Sequence, residues 1–304
     1  VLREQTPPGM AEAQWMGKAF ASAVRGAWDS AFVALQHWTR LSDDPQTVLR
    51  AYGLATLGVS TGAVAPDAAL GWRPDPAQGA VAAEPDARAE LAWLDGVNAF
   101  FGADTAAIAG ALQALRGSGG RHAELLSASL RAFQRHAAGD PAGAARSLAE
   151  LEWNLTGRGD HMAAARFHPH LSAIHRPAGA RWLIESGDTV QALRLLTWHE
   201  AIVAGDRVYG RINNANRVVE PLALQQRARL EEALGRESVA REHYRAFLER
   251  YDRAPSAHQG LVADARAALH RLGDAKREVP AGPSRRSPEP RRAPRGEGLP
   301  PPAG

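Results

Sequence analysis

Helical spacing of apolar residues on both sides of single glycines is the feature that most restricts the fold of this chain. In the stretch from Glu220 to Leu272, a leucine- and alanine-rich segment ends at Gly235 and a second amphipathic segment follows it. Glycine suits a helix end because it adopts the left-handed backbone conformation without steric cost. Pro221 suits a first helical turn, where its missing N–H is not needed. The pattern predicts two antiparallel helices, and since neither could bury its apolar stripe alone, they must pack on neighbours.

Three further segments repeat this order of helix, glycine turn and helix. The four segments span 89–115, 124–151, 177–198 and 222–251, and their central glycines, Gly102, Gly139, Gly187 and Gly235, are 37, 48 and 48 residues apart. Three of the segments carry a small residue five positions after the glycine and a larger apolar residue nine positions after it. Small residues let helices approach closely. The predicted repeat-packing residues are Ala144, Ala192, Ala240 and Tyr244, with Leu148 and Leu196 at the remaining offsets.

The hairpin around Gly235 resembles a tetratricopeptide repeat. Ala228, Ala240 and Tyr244 stand where that motif has a small, a small and an aromatic residue. The same stretch is similar to helical regions at the C-terminal end of large bacterial signalling proteins. The resemblance implies an all-α, right-handed solenoid of stacked hairpins from residue 10 to 272, and it carries over no catalytic residue.

The lack of cysteine and of long apolar segments restricts the cellular compartments in which we expect the protein. The 304 residues include no cysteine, so disulfides and thiolate metal sites are excluded. No segment reaches the roughly 18 uncharged apolar residues of a membrane span, and the first ten residues lack a signal-peptide core. We therefore expect a cytoplasmic protein without a membrane span. Because the chain starts with valine, either the start codon is read as valine or the sequence is a fragment of a longer protein.

Three segments interrupt the helical pattern. Residues 1–9 are predicted to be a disordered leader, and residues 60–86 an irregular insertion rich in proline and glycine, pinned to the body by Trp72. Residues 273–304 are dense in proline and arginine with almost no large apolar residue, which predicts a disordered tail. The tail holds the chain's positive charge but lacks aromatic residues for base stacking. We therefore expect no specific nucleic-acid partner, since contacts through so few charges are weak and salt-sensitive.

The segment from 198 to 216 lengthens the connection between the last two hairpins and is rich in hydrogen-bonding side chains. Asparagine amides can bind a peptide backbone and arginines can pair with carboxylates, as on the concave faces of helical solenoids. This segment therefore predicts part of a groove for a protein or peptide, formed by Trp198, Arg207, Arg211, Asn213 and Asn216. The other interpretation is a solvated loop whose asparagines cap helices.

Histidines at 161, 168, 170 and 175 are the strongest candidates for chemistry. Imidazoles bind zinc or copper, but the spacing matches no helical ligand motif, and His199-Glu200 lacks the second histidine of a zincin. Helix-capping or surface histidines are the other interpretation. The alternative function is an α-helical metal-binding protein or enzyme that uses His168, His170 and His175.

Motifs of the common catalytic families are missing. The glycines at 117–120 lack the lysine of a phosphate-binding loop, and neither a nucleophile elbow nor a kinase signature occurs. The preferred interpretation is a non-enzymatic module without a cofactor, a scaffold or sensor arm in bacterial signalling that binds a protein or peptide. A spacer without a ligand is a third interpretation.

Overall fold

The computed structural model describes residues 8–42, 44, 46–157, 170–197 and 210–274. These ranges contain fourteen α-helices and one short 3-10 helix, and they contain no strand. The predicted all-α class is therefore confirmed. Most of the predicted leader and tail lies outside the described residues, as do the histidines at 161 and 168.

The helices follow one another with short connections. Their bounds are α1 Pro8–Val24, α2 Trp28–Leu41, α3 Thr47–Ser60, α4 Pro66–Leu70, α5 Gly79–Ala83, α6 Pro85–Phe101, α7 Thr105–Gly117, α8 Ala123–Ala137, α9 Pro141–Gly157, α10 Leu171–Glu185, α11 Thr189–Thr197, α12 Gly210–Ala233, α13 Glu237–Arg250, the 3-10 helix Ser256–His258 and α14 Gln259–Asp274.

One turn geometry recurs at six helix ends. In the turn between α8 and α9, Gly139 has a φ of 90°, its N–H donates to His136 O at 2.9 Å, and the next N–H, of Asp140, donates to Arg135 O at 3.1 Å. This pair of bonds is the Schellman motif, which satisfies the last carbonyls of a helix. The same two bonds and a positive φ occur at Gly26, Gly62, Ala103, Gly187 and Gly235.

The turn geometry corrects the predicted repeat register. The left-handed residue between α6 and α7 is Ala103, with a φ of 60°, and not Gly102. Two hairpins were also not predicted, α1–α2 at Gly26 and α3–α4 at Gly62. With Ala103 as the reference, Ile108 and Leu112 take the offsets of five and nine. The residues at these offsets are buried in five hairpins: Ala31 and Leu35, Ile108 and Leu112, Ala144 and Leu148, Ala192 and Leu196, and Ala240 and Tyr244.

Two prolines lie inside helices, and one of them, Pro221, was expected in a first helical turn. Pro177 is within α10 and Pro221 is within α12. An interior proline removes one backbone hydrogen bond and normally disfavours a helix. Here packing compensates, because α10 is buried on nearly every side and the turns of α12 before Pro221 bury Ala215, Val218 and Val219.

The hairpins stack in chain order. The second helix of each hairpin packs against the first helix of the next unit, as α7 does on α8 and α9 on α10. First helices also contact one another, and two of these contacts, α1 with α12 and α3 with α10, join distant parts of the chain. The N-terminal hairpin therefore meets the C-terminal hairpin.

Apolar side chains of the described residues form two clusters. The larger one runs continuously from α1 to α12, and the smaller one joins α12, α13 and α14. Trp72, in the irregular insertion, stacks on Phe32 of α2 with ring centroids 5.8 Å apart. Across the described ranges, every helix is too short or too polar to cross a bilayer.

Candidate partner-binding groove

The second hairpin has an unusually short second helix. The corresponding helices α2, α7, α9, α11 and α13 have 9 to 17 residues, whereas α4 has 5. Pro74 and Pro76 follow α4, and proline disfavours helical backbone at the residue before it. The chain therefore leaves the helix and returns along α6 as an irregular segment that contains only the short helix α5.

A groove of about 570 Å³ lies where this irregular segment runs beside α6 and α7. Its floor is apolar and buried, formed by Val81, Leu91, Ala92 and Ala111. The α6 residues that line it are at intervals of three and four, so they share one helix face. The groove is therefore built on the faces of α6 and α7 that the short α4 does not cover.

Small residues form the α7 side of the groove. Ala107, Gly110, Ala114 and Gly117 occur at intervals of three and four residues, and all four are exposed. A Cβ atom added at Gly110 or Gly117 would meet no other heavy atom within 4 Å. This side of the groove is therefore open and flat enough for another chain to approach the α7 backbone closely.

A polar network that reaches from the surface at Arg73 to the buried Asn98 supports one end of the groove. Arg73 donates two hydrogen bonds to the Asp95 carboxylate, each 2.8 Å long, and the Tyr52 hydroxyl donates a third at 2.9 Å. Burial and the neighbouring Asp95 carboxylate raise the pKa of Tyr52, so this hydroxyl stays protonated. The Asn98 amide donates in turn to Tyr52 and Thr56. The network holds the irregular segment against α6.

Arg88 joins the two sides of the groove. Its guanidinium donates to Ala82 O at 2.9 Å and to Ser118 O at 3.4 Å, which link the segment before α6 to the end of α7. Both acceptors are uncharged, and no carboxylate of a described residue pairs with Arg88. The groove therefore contains one positive charge without a counter-charge.

The polar side chains of the described lining are engaged in hydrogen bonds within the protein. Its one carboxylate, Asp95, is engaged by Arg73 and Tyr52, and its one hydroxyl, Ser118 Oγ, donates to Leu115 O. Among the described lining residues there is no histidine that could act as a general base. What the groove offers is an apolar floor, an open helix face and a guanidinium.

The predicted partner residues of the segment 198–216 are only partly described. Trp198 and Arg207 lie outside the described residues, and Arg211 and Asn213 lie in the first turn of α12, where the side chains are not described. Asn216 is buried, with 5% of its surface exposed. The exposed groove predicted from these residues stays a prediction.

Two histidines of the predicted metal cluster, His170 and His175, are described, and they contact different neighbours. The His175 Nε2 atom lies 2.5 Å from Ser129 Oγ, which also accepts a hydrogen bond from the Trp93 indole. The His170 ring packs on α3 at Gly53, where a Cβ would come within 2.4 Å of it. His170 also lines a cavity of about 270 Å³ together with Asn214, Glu12 and Arg50.

His168, one of the three histidines of the alternative metal site, lies outside the described residues. Within those residues, no group of three histidine, aspartate or glutamate side chains is placed to hold a metal ion. The metal alternative stays a prediction.

The groove at α6 and α7 was not predicted from the sequence, although one signal for it is present. The small residues at 107, 110, 114 and 117 lie on one helix face without a large apolar residue among them, and this pattern is visible in the sequence. It becomes informative only once the short α4 shows that the neighbouring position is open.

Comparisons with protein families, with characterised proteins and with solved structures found no match for this chain. The candidate groove therefore rests on its own geometry.

Proposed function

We propose that this chain is a non-enzymatic protein-binding module, a right-handed stack of tetratricopeptide-like hairpins that serves as a scaffold or sensor arm in bacterial signalling or regulation. The partner docks in the groove between α6, α7 and the irregular segment. The observation that carries the proposal is an open apolar groove beside the hairpin whose second helix is cut short.

The occupant that fits this groove best is an amphipathic α-helix of the partner. Helices dock into apolar grooves through side chains at intervals of three and four residues. The exposed small residues of α7, Ala107, Gly110, Ala114 and Gly117, would allow the two helix axes to approach to about 8 Å, the lower end of helix packing distances. The partner helix would thus occupy the space that a longer α4 could have filled.

Charge complementarity adds a second property of the partner. Arg88 has only carbonyl partners among the described residues, and a guanidinium forms its strongest hydrogen bonds with carboxylates. We therefore expect a glutamate or aspartate on the partner helix, placed to reach Arg88 when the apolar face lies on Leu91 and Ala92.

The segment 198–216, on which the sequence predicts a groove, is the competing interface. The C-terminal end of this segment enters α12, which contacts α1. Most side chains of the segment 198–216 lie outside the described residues, so the experiment below includes variants in this segment.

Photo-crosslinking in the source cell tests the proposal. A photoreactive phenylalanine at Gly110 faces the groove without a clash, because the space around its Cβ is open. Gly17 of α1 is a matched control, since it is also an exposed helical glycine with an open Cβ position. We expect a defined protein adduct from position 110 that position 17 does not form.

The captured protein is then tested with purified components. The substitution Gly110→Trp fills the groove and should weaken binding about tenfold or more, whereas Gly17→Trp should leave it unchanged. Arg211→Ala with Asn213→Ala tests the competing interface. Equal adducts from both positions, or binding that survives Gly110→Trp and fails only in the Arg211 and Asn213 variant, would contradict the proposed docking site.

A further inference from the structure

A second and larger cavity, of about 770 Å³, lies where the two ends of the described chain meet. The Arg253 N–H donates to Arg25 O at 2.9 Å, Arg25 forms an ion pair with Asp252, and His258 Nε2 lies 2.9 Å from Thr61 O. These contacts join the α1–α2 turn and the end of α3 to the connection between α13 and α14. The cavity is therefore held open between two parts of the molecule that are far apart in sequence.

Two guanidinium groups in the cavity wall form no ion pair with a carboxylate of the described residues, although Arg253 also lies near the Asp252 carboxylate that pairs with Arg25. Arg253 and Arg266 both line the cavity and are exposed, and none of the ion pairs or hydrogen bonds between described side chains engages them. The wall also contains Asp252, which Arg25 neutralises, and Asp29. Three arginines, Arg25 at the edge with Arg253 and Arg266 in the wall, face the two aspartates. The cavity and its edge therefore carry one net positive charge.

The rest of the wall combines polar side chains, such as Ser256 and Gln259, with aromatic and apolar ones. Trp28 is contributed by the larger apolar cluster, and Tyr251 and Val262 by the smaller one, so the cavity lies at the seam between the two. Sites at such seams commonly combine apolar walls with a few polar groups that orient the ligand. Guanidinium groups supply that orientation for carboxylates and phosphates, which they bind with two parallel hydrogen bonds.

We propose that this cavity binds a small anionic ligand, a carboxylate or a phosphate attached to a flat apolar group. Arg253 and Arg266 pair with the anion, and the flat group lies on the part of the wall that Trp28, Tyr251 and Val262 form. The bound ligand contacts both ends of the stack and strengthens their association. This site is separate from the groove on α6 and α7, and either can fail without the other.

Calorimetric titration at constant ionic strength tests the proposal, with phenyl phosphate, benzoate and uncharged benzyl alcohol as probes. Saturable binding of phenyl phosphate or benzoate, with none of benzyl alcohol, is the expected result. The tighter of the two anions assigns the ligand to phosphates or to carboxylates. Binding of neither anion, or equal binding of benzyl alcohol, would overturn the proposal.

Variants locate the binding in the cavity. Arg253→Ala with Arg266→Ala should weaken binding of the anion about tenfold or more, and the corresponding lysine pair should restore part of it. Arg116→Ala with Arg131→Ala removes two exposed arginines of α7 and α8 and gives the same change in net charge, so it is the matched control. If both alanine pairs weaken binding equally, the effect is general electrostatics and the site is not in this cavity.

Discussion

At the scale of single residues, one backbone geometry ends six of the helices. Six helix ends share one pair of backbone hydrogen bonds, and five of them place glycine at the left-handed position. The sixth uses Ala103, where a Cβ atom crowds the following carbonyl oxygen. The glycines predicted four of the hairpins. In one of them the predicted left-handed residue was Gly102, whereas the observed one is the next residue, Ala103.

Replacing Ala103 by glycine should stabilise the protein. The left-handed conformation costs a non-glycine residue about 1–2 kcal/mol, and glycine's greater freedom in the unfolded chain offsets about 0.4–1 kcal/mol of that gain. We expect the free energy of unfolding, measured with urea, to rise by about 0.5–1 kcal/mol in Ala103→Gly. In the converse variant, Gly139→Ala, it should fall; a loss of stability in Ala103→Gly would show that this turn is not left-handed.

His258 should make stability depend on pH. Burial lowers the pKa of His258 below its ordinary value of 6.5, and the hydrogen bond to Thr61 O opposes that shift only in part. The unfolded chain therefore binds this proton more readily, so stability is lost as pH falls below about 6.5 towards the lowered pKa of the folded state.

The measurement is the free energy of unfolding of wild type and His258→Gln at about pH 7.5 and pH 5. The decrease on acidification should be smaller in the variant, because its side chain does not titrate. Other histidines contribute equally to the decrease in both proteins, so the difference between the two decreases reports on His258 alone. An identical decrease in both proteins would mean that His258 is not held neutral at the junction.

At the scale of helices, the offsets counted from each turn decide how neighbouring units pack. The residue five positions after the left-handed residue is alanine in four hairpins and Ile108 in the fifth, and it is buried in all of them. These offsets were predictable because small residues recur in register. Helix starts were less predictable: Pro221 predicted a first turn, but the burial of the preceding residues places it inside α12, and α10 likewise begins before Pro177.

Enlarging one of these alanines should destabilise the stack. Ala192 and Ala240 are fully buried, so a leucine at either position must displace a neighbouring helix or adopt a strained rotamer, at a cost of about 1–3 kcal/mol. Ala267→Leu, on the exposed face of α14, is the control and should change the free energy of unfolding by less than about 0.5 kcal/mol. Unfolding curves that do not differ between Ala192→Leu and the control would reject the repeat register.

At the scale of the whole molecule, the decisive features are long-range contacts that no local pattern reveals. The meeting of α1 with α12 and of α3 with α10 joins helices far apart in the chain. The groove on α6 and α7 likewise depends on a neighbouring helix being short. The fold class was thus predictable from periodicity, whereas the candidate site depends on which helix faces remain uncovered after packing.

The most direct test of this account is hydrogen–deuterium exchange of the protein with and without its captured partner. If the partner helix docks on α6 and α7, exchange should slow in residues 107–117 and in the segment 79–92, and it should not change in residues 210–217. Slower exchange confined to residues 210–217, with α7 unaffected, would contradict the proposed groove and assign the interface to the segment that contains Arg211 and Asn213.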